Sequence, residues 1–111
     1  MNRSEAINDL AEALAKAQGV MEAASKDASN PFFKSRYADL ASVWSVARKP
    51  LADNGLSIMQ HPSADGNIVT LETALCHASG QWAASSLVMV AKDASPQALG
   101  SCITYARRYA L

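Results

Sequence analysis

Apolar residues recur at intervals of three and four from Ser4 to about Lys26, at Ile7, Leu10, Ala11, Leu14, Ala17, Met21 and Ala24. That spacing sets them on one stripe of an amphipathic helix. Glu5, Asp9, Glu12, Lys16 and Glu22 occupy the opposite face as a solvated surface, and Gly19 weakens the middle only modestly. The run Asp27-Ala28-Ser29-Asn30-Pro31 ends the helix, because the residue before a proline is pushed out of the α region. A second stripe, Leu40, Val43, Trp44, Ala47 and Leu51, predicts a helix from Asp39 to about Asn54, capped by Asp39 and ended by Gly55. Pro50 lacks a backbone donor and predicts a kink in its last turn.

The period then changes from 3.6 to 2. Leu56–His61, Asn67–His77 and Gln81 to about Val90 read as strands, separated by Ala64-Asp65-Gly66-Asn67 and Ala78-Ser79-Gly80. Connections this short allow only antiparallel pairing, and Asp-Gly predicts a type I′ hairpin turn. In the middle strand Val69, Leu71, Thr73 and Leu75 share one face, and Thr70, Glu72 and Cys76 the other, so one face is covered and one more polar. Ser95-Pro96 opens a third helix as N-cap and first helical residue. Leu99, Cys102, Ile103, Ala106 and Ala110 form its buried stripe. Arg108 shares the far side with Ser101 and Thr104, while Arg107 flanks the stripe, placed for an intrachain or intersubunit pair with a carboxylate such as Glu72. The helix is still running at Leu111, and the chain reads as truncated at its C-terminal end. The expected architecture is α+β: N-terminal helices, a three-stranded antiparallel β-meander, then a long C-terminal helix packed on the sheet.

Composition narrows the class. With 111 residues, 50% of them hydrophobic and 18% charged, the chain is one domain able to bury a core, and it is not a disordered segment. No apolar run approaches membrane-spanning length and no signal-peptide core opens the chain, so a soluble intracellular protein is expected. Cys76 and Cys102 have no metal-site spacing and read as buried free thiols. The net charge is zero but unevenly spread. Residues 51–91 contain no Lys or Arg, whereas Lys34, Arg36, Arg48 and Lys49 form one basic block and Lys92, Arg107 and Arg108 another. A fold that joins these blocks would give a neutral protein a positive groove.

Catalysis finds little support in the residues. His61 and His77 lack metal spacing, and Cys76 and His77 are strand neighbours that point to opposite faces. No nucleophile elbow or phosphate loop occurs. Phe32, Phe33, Lys34, Arg36 and Tyr37 interleave aromatics with cations as a single-stranded nucleic-acid surface does, although two phenylalanines can equally plug a core. A non-catalytic protein-interaction scaffold that binds no DNA is the alternative reading, and a small hydrolase or deaminase a more distant one.

Two blocks are more specific: Asn30-Pro31-Phe32-Phe33-Lys34-Ser35-Arg36-Tyr37-Ala38-Asp39-Leu40, and Gln97 to Leu111 with its core Gly100-Ser101-Cys102-Ile103-Thr104-Tyr105-Ala106-Arg107-Arg108-Tyr109. With Pro50-Leu51-Ala52-Asp53-Asn54-Gly55-Leu56 and Leu75-Cys76-His77-Ala78-Ser79-Gly80-Gln81-Trp82 between them, they resemble, in order, the motifs of the ERF (essential recombination function) family of phage single-strand annealing proteins. The resemblance implies a single annealing core domain over residues 1–111 that forms rings or filaments. It also implies binding of single-stranded DNA in a basic groove, and annealing without ATP, cofactor, metal or covalent catalysis. It carries a DNA-contacting or groove-forming role onto Lys34, Arg36, Tyr37, Arg107 and Arg108, and with less support onto Gln97, Thr104 and Tyr105. A single-strand binding protein or a phage exonuclease is the kind of further partner it implies. The setting it implies is the cytoplasm of a bacterial host, from a phage or prophage gene.

Overall fold

The structure is a computed structural model that describes residues 2–22 and 40–111. In chain order the elements are β1 (Asn2–Arg3), α1 (Asn8–Val20), α2 (Leu40–Asp53), β2 (Leu56–Asp65), β3 (Ile68–His77), β4 (Trp82–Val90) and α3 (Pro96–Ala110). The strands form one antiparallel sheet in the order β1-β4-β3-β2. The predicted meander is therefore present as β2-β3-β4, but a fourth strand joins it.

That strand lies just before the predicted helix start at Ser4. Asn2 and Arg3 pair with Ala84 and Ala83, and Ser4 closes the pairing: its N–H donates to the Trp82 carbonyl at 2.8 Å and its Oγ accepts from the Trp82 N–H at 3.0 Å. The edge of β4 offers unpaired backbone groups, and a serine hydroxyl competes well for them against helix formation. The helix starts at Asn8 instead. Its N-cap position is Ile7, which has no capping side chain. Gln81, from the β3–β4 turn, takes over: its Oε1 accepts from the Leu10 N–H at 3.0 Å, and its Nε2 donates to Asn8 Oδ1 at 3.1 Å and Asp9 Oδ2 at 3.3 Å. A cap lent from across the fold ties α1 to the sheet. Gln81→Ala should lower stability by about 1 kcal/mol and the melting temperature by about 4–8 °C, read by thermal unfolding. A Gln81→Ala protein that melts like the parent would remove the capping role.

α1 stops at Val20, sooner than Lys26, just after Gly19, and Met21 is extended. Its buried line is Leu10, Ala13 and Ala17, with Ile7, Leu14 and Met21 packed alongside; Ala11, expected in the stripe, is exposed. α2 runs through Pro50 to Asp53 and ends at Gly55, whose φ of +72° is the left-handed conformation that glycine adopts without strain. The predicted Asp39 cap, and Ala24 of the first stripe, lie outside the described residues.

β2 is longer than expected, passing Pro62 to reach Asp65. It is an edge strand, where a proline need not cost a ladder hydrogen bond. Asp65 pairs with Ile68, so the hairpin turn is Gly66-Asn67, and only Gly66 has a positive φ (+60°). That is the II′ pattern rather than the expected I′, in which Asn67 would share the left-handed conformation. α3 begins as predicted: Ser95 Oγ accepts from the Ala98 N–H at 3.2 Å, with Pro96 in the first turn.

Register fixes the two faces of the sheet. Leu56, Ile58 and Gln60 of β2, Val69, Leu71, Thr73 and Leu75 of β3, and Leu87 and Met89 of β4 share one face, which all three helices cover. Val69 and Leu71 are the largest fully buried side chains there. The opposite face has no covering layer among the described residues. The two thiols are free but half-buried, not buried as predicted: Cys76 stands on the open face, and Cys102 faces a groove beside α3.

Candidate nucleic-acid interface

α3 turns Ala106 and the neighbouring Ile103 toward the sheet, Cys102 lies at the border, and the other side of the helix is polar. That polar side borders an open groove of about 1010 Å³. The end of β4 and the following turn form one wall, through Val90, Lys92 and Asp93, and Leu40 at the start of α2 contributes from the other side. Gln97, Thr104, Tyr105 and Arg108, all singled out in the sequence, line this groove together with Ser101. Spacings of three, four and seven along one helix bring them to one face.

The far end of the groove combines a cation with aromatic rings. The Arg108 Cζ sits 5.0 Å from the Tyr105 ring centroid, and Tyr105 stacks on Tyr109, one turn on, with centroids 6.2 Å apart and planes 16° apart. Tyr109 is 70% exposed and Tyr105 48%, so most of this platform faces water. An aromatic pair with a guanidinium over it is a surface on which a nucleobase can stack while a phosphate meets the cation. At the other end, Lys92 supplies a second cation. Asp93 opposes it: the Ser95 hydroxyl and the Ser95 N–H, the latter at 2.8 Å, hold its carboxyl below the usual carboxylate range, so it is ionised at neutral pH.

Arg107 belongs elsewhere. Its Nε donates to Gln60 Oε1 at 3.2 Å, while Gln60 Nε2 donates to the Arg107 carbonyl at 3.2 Å and to Thr73 Oγ1 at 3.3 Å. The intrachain form of the expected pairing with Glu72 does not occur, and strand geometry is the reason: Thr73 faces the helices, so its neighbour Glu72 points to the opposite face, out of reach of α3 of the same chain. Arg107 instead borders a smaller apolar groove of about 510 Å³ with Trp44, Ile58 and Leu111. The basic blocks are thus only partly joined: Lys92 and Arg108 share a groove, Arg107 faces away from it, and Lys49 is paired with Asp53 at 3.0 Å. Lys34, Arg36 and Tyr37 lie outside the described residues. Lys92 and Tyr109 were absent from the predicted site; one lies before the helix and the other is seen only through its stacking on Tyr105.

A family model of the ERF superfamily matches residues 10–111. The chain belongs to the ERF superfamily. The ERF span holds α2, α3, strands β2 to β4 and the whole groove, and it leaves out β1 and the first two residues of α1. It also contains both sequence blocks that carried the resemblance, Lys34 to Tyr37 included. ERF membership is consistent with a phage recombination protein. No curated protein and no solved structure matches the chain. Among the described residues, no helix is long and apolar enough to cross a membrane, and no cluster of His, Cys, Asp or Glu could hold a metal ion.

Proposed function

We propose that this ERF-superfamily chain binds single-stranded DNA in the groove beside α3 and, assembled into a ring or filament, anneals complementary strands without ATP, cofactor or covalent catalysis. The observation that carries the reading is the convergence of Lys92, Gln97, Thr104, Tyr105 and Arg108 on one groove, with the Tyr105–Tyr109 stack at its end. Lys92 and Arg108 neutralise phosphates, Tyr105 and Tyr109 offer stacking faces, and Gln97 and Thr104 supply hydrogen bonds. None of this requires a bond to be made or broken. Tyr37, Arg36 and Lys34 precede Leu40 by three, four and six residues. The family resemblance assigns all three a DNA-contacting or groove-forming role, and the two cations among them are proposed to add to the charge of the groove. A protomer with so few phosphate contacts binds weakly alone, and assembly along one strand multiplies them. The proposed setting is the cytoplasm of a bacterial host, with a single-strand binding protein or phage exonuclease as further partner.

Titration of a labelled oligonucleotide at several salt concentrations tests the reading. Each phosphate contact should contribute about −0.7 to the slope of log affinity against log salt for a single strand, so two to four contacts per protomer predict roughly −1.4 to −2.8. Salt-independent binding, or equal affinity for blunt duplex, would sink it. Asp93→Asn keeps an oxygen acceptor for the Ser95 N–H and removes a charge from the groove. Binding at low salt should tighten about two- to fivefold, as relief of a solvent-screened repulsion does, and the gain should vanish at high salt. An unchanged affinity would place the DNA away from Asp93.

A further inference from the structure

Five of the nine large hydrophobic side chains exposed among the described residues stand on the open face of the sheet: Met59 (64%), Ile68, Trp82, Val88 and Val90 (71%). The register places Met59, Ala74 and Ala84 in one row, His61, Glu72 and Ser86 in the next, and Ser63, Thr70 and Val88 in the one beyond. This face contains Asp65 and Glu72 but no lysine or arginine, so it repels nucleic acid. Neither carboxylate has a hydrogen-bond or ion-pair partner among the described residues. A face with large apolar side chains toward both ends and an unpaired carboxylate between them fits a surface that combines apolar contact with a cation.

The chain has such a surface. The outward side of α2 carries Ala41, Trp44, Ser45, Arg48 and Ala52, which share one stripe by their spacing and are all exposed. Three are small, so a sheet can approach closely, and Trp44 offers a large ring at 38% exposure. Arg48 is the cation of this stripe, and it has no ion-pair partner among the described residues, whereas its neighbour Lys49 is held by Asp53. Two open sheet faces packed on each other would oppose acids with acids and supply no counter-charge, which disfavours a two-fold sandwich.

We propose that copies of this chain assemble head to tail, the α2 stripe of one copy docking on the open sheet face of the next, with Arg48 meeting Glu72. The two surfaces lie on different elements, so each copy keeps one of each unused and the contact repeats, giving a closed ring or an open filament. The proposal rests on the assembly part of the function above; of the open-face residues only Val90 also lines the α3 groove, and the rest of that groove stays free for DNA.

Analytical ultracentrifugation of the full chain over a concentration series, with a short-oligonucleotide titration run in parallel, tests it. Glu72→Arg and Arg48→Glu should each raise the midpoint concentration for assembly at least about tenfold, and the two substitutions combined should restore it most of the way. Val88→Glu should also block assembly while leaving the melting temperature and short-oligonucleotide affinity as in the parent, since the side chain is 60% exposed. Parent-like assembly by all three single variants would overturn the proposed surfaces while leaving the assembly reading standing. An assembly that stops at a dimer and is indifferent to Arg48→Glu would mark a sheet-to-sheet contact and overturn them too. A monomeric parent, with or without DNA, that loses stability on Val88→Glu would mean that the chain covers its own sheet. That outcome removes both this proposal and the assembly reading, and short-oligonucleotide binding would still report separately on the groove.

Discussion

Leu71→Ala should lower the unfolding free energy by about 3 kcal/mol and the melting temperature by about 10–15 °C, the largest effect expected of any single truncation among the described residues. Leu71 lies on the central strand β3 with no exposed surface, between Pro62 of β2 and Leu87 of β4 and on the face that the helices cover. Among the described residues, six of the eleven buried hydrophobics are alanines, at positions 13, 17, 47, 84, 91 and 106, so few large side chains of this set are fully buried. Small side chains let helices and sheet approach closely, but they leave little slack for a cavity to collapse into. Val88→Ala is the control, because Val88 sits on the uncovered face and its truncation should change stability by less than about 0.5 kcal/mol. Chemical denaturation of the two variants distinguishes them. Equal losses would mean that the open face is covered in solution, or that the assigned core face is wrong.

The pattern of apolar positions was enough to place the helix stripes and the alternation along β3, because one-sided burial imposes its own period on the residues. Val69 and Leu71 were assigned to the covered face from that period alone, and both are fully buried. What escaped was set by partners distant in sequence. Asn2 and Arg3 have no strand signature; they are extended because the edge of β4 is there to be paired. Ile7 is a poor N-cap, and no local reading finds Gln81, more than seventy residues away, supplying the missing acceptor. The II′ turn at Gly66-Asn67 depended on which pair closed the hairpin, a register difference of one residue that Asp-Gly-Asn leaves open.

The site divides the same way. That Gln97, Thr104, Tyr105 and Arg108 share a groove follows from helical spacing, and was readable. That Lys92 joins them depends on how β4 leads into α3, and was not. The Arg107–Glu72 pairing within one chain failed on parity: one step along β3 separates Thr73, on the helix side with Gln60, from Glu72 on the other side.

The two arginines should separate cleanly when each is truncated. Arg108→Ala is expected to weaken single-stranded DNA binding about tenfold at low salt, measured where the variant is fully folded, because the side chain lies over the Tyr105 ring at the edge of the groove. Adding Tyr105→Ala should bring the loss to about a hundredfold, since stacking on an aromatic side chain is worth about 1–3 kcal/mol per base. Arg107→Ala should do the reverse. It removes the Nε donor to Gln60 that ties the last turn of α3 to β2, so it should cost about 1 kcal/mol of stability and about 4–8 °C in melting temperature. DNA affinity in that variant should stay within about twofold of the parent, measured where the protein is fully folded. Arg107→Lys sharpens the comparison, since it keeps the charge and cannot reproduce the planar Nε contact. If the charge at position 107 acts on DNA, lysine preserves affinity and alanine does not. If the contact to Gln60 is its role, both variants lose stability and neither loses affinity. A protein in which Arg107→Ala abolishes DNA binding while Arg108→Ala binds like the parent would move the interface to the Trp44 side of α3 and away from the groove.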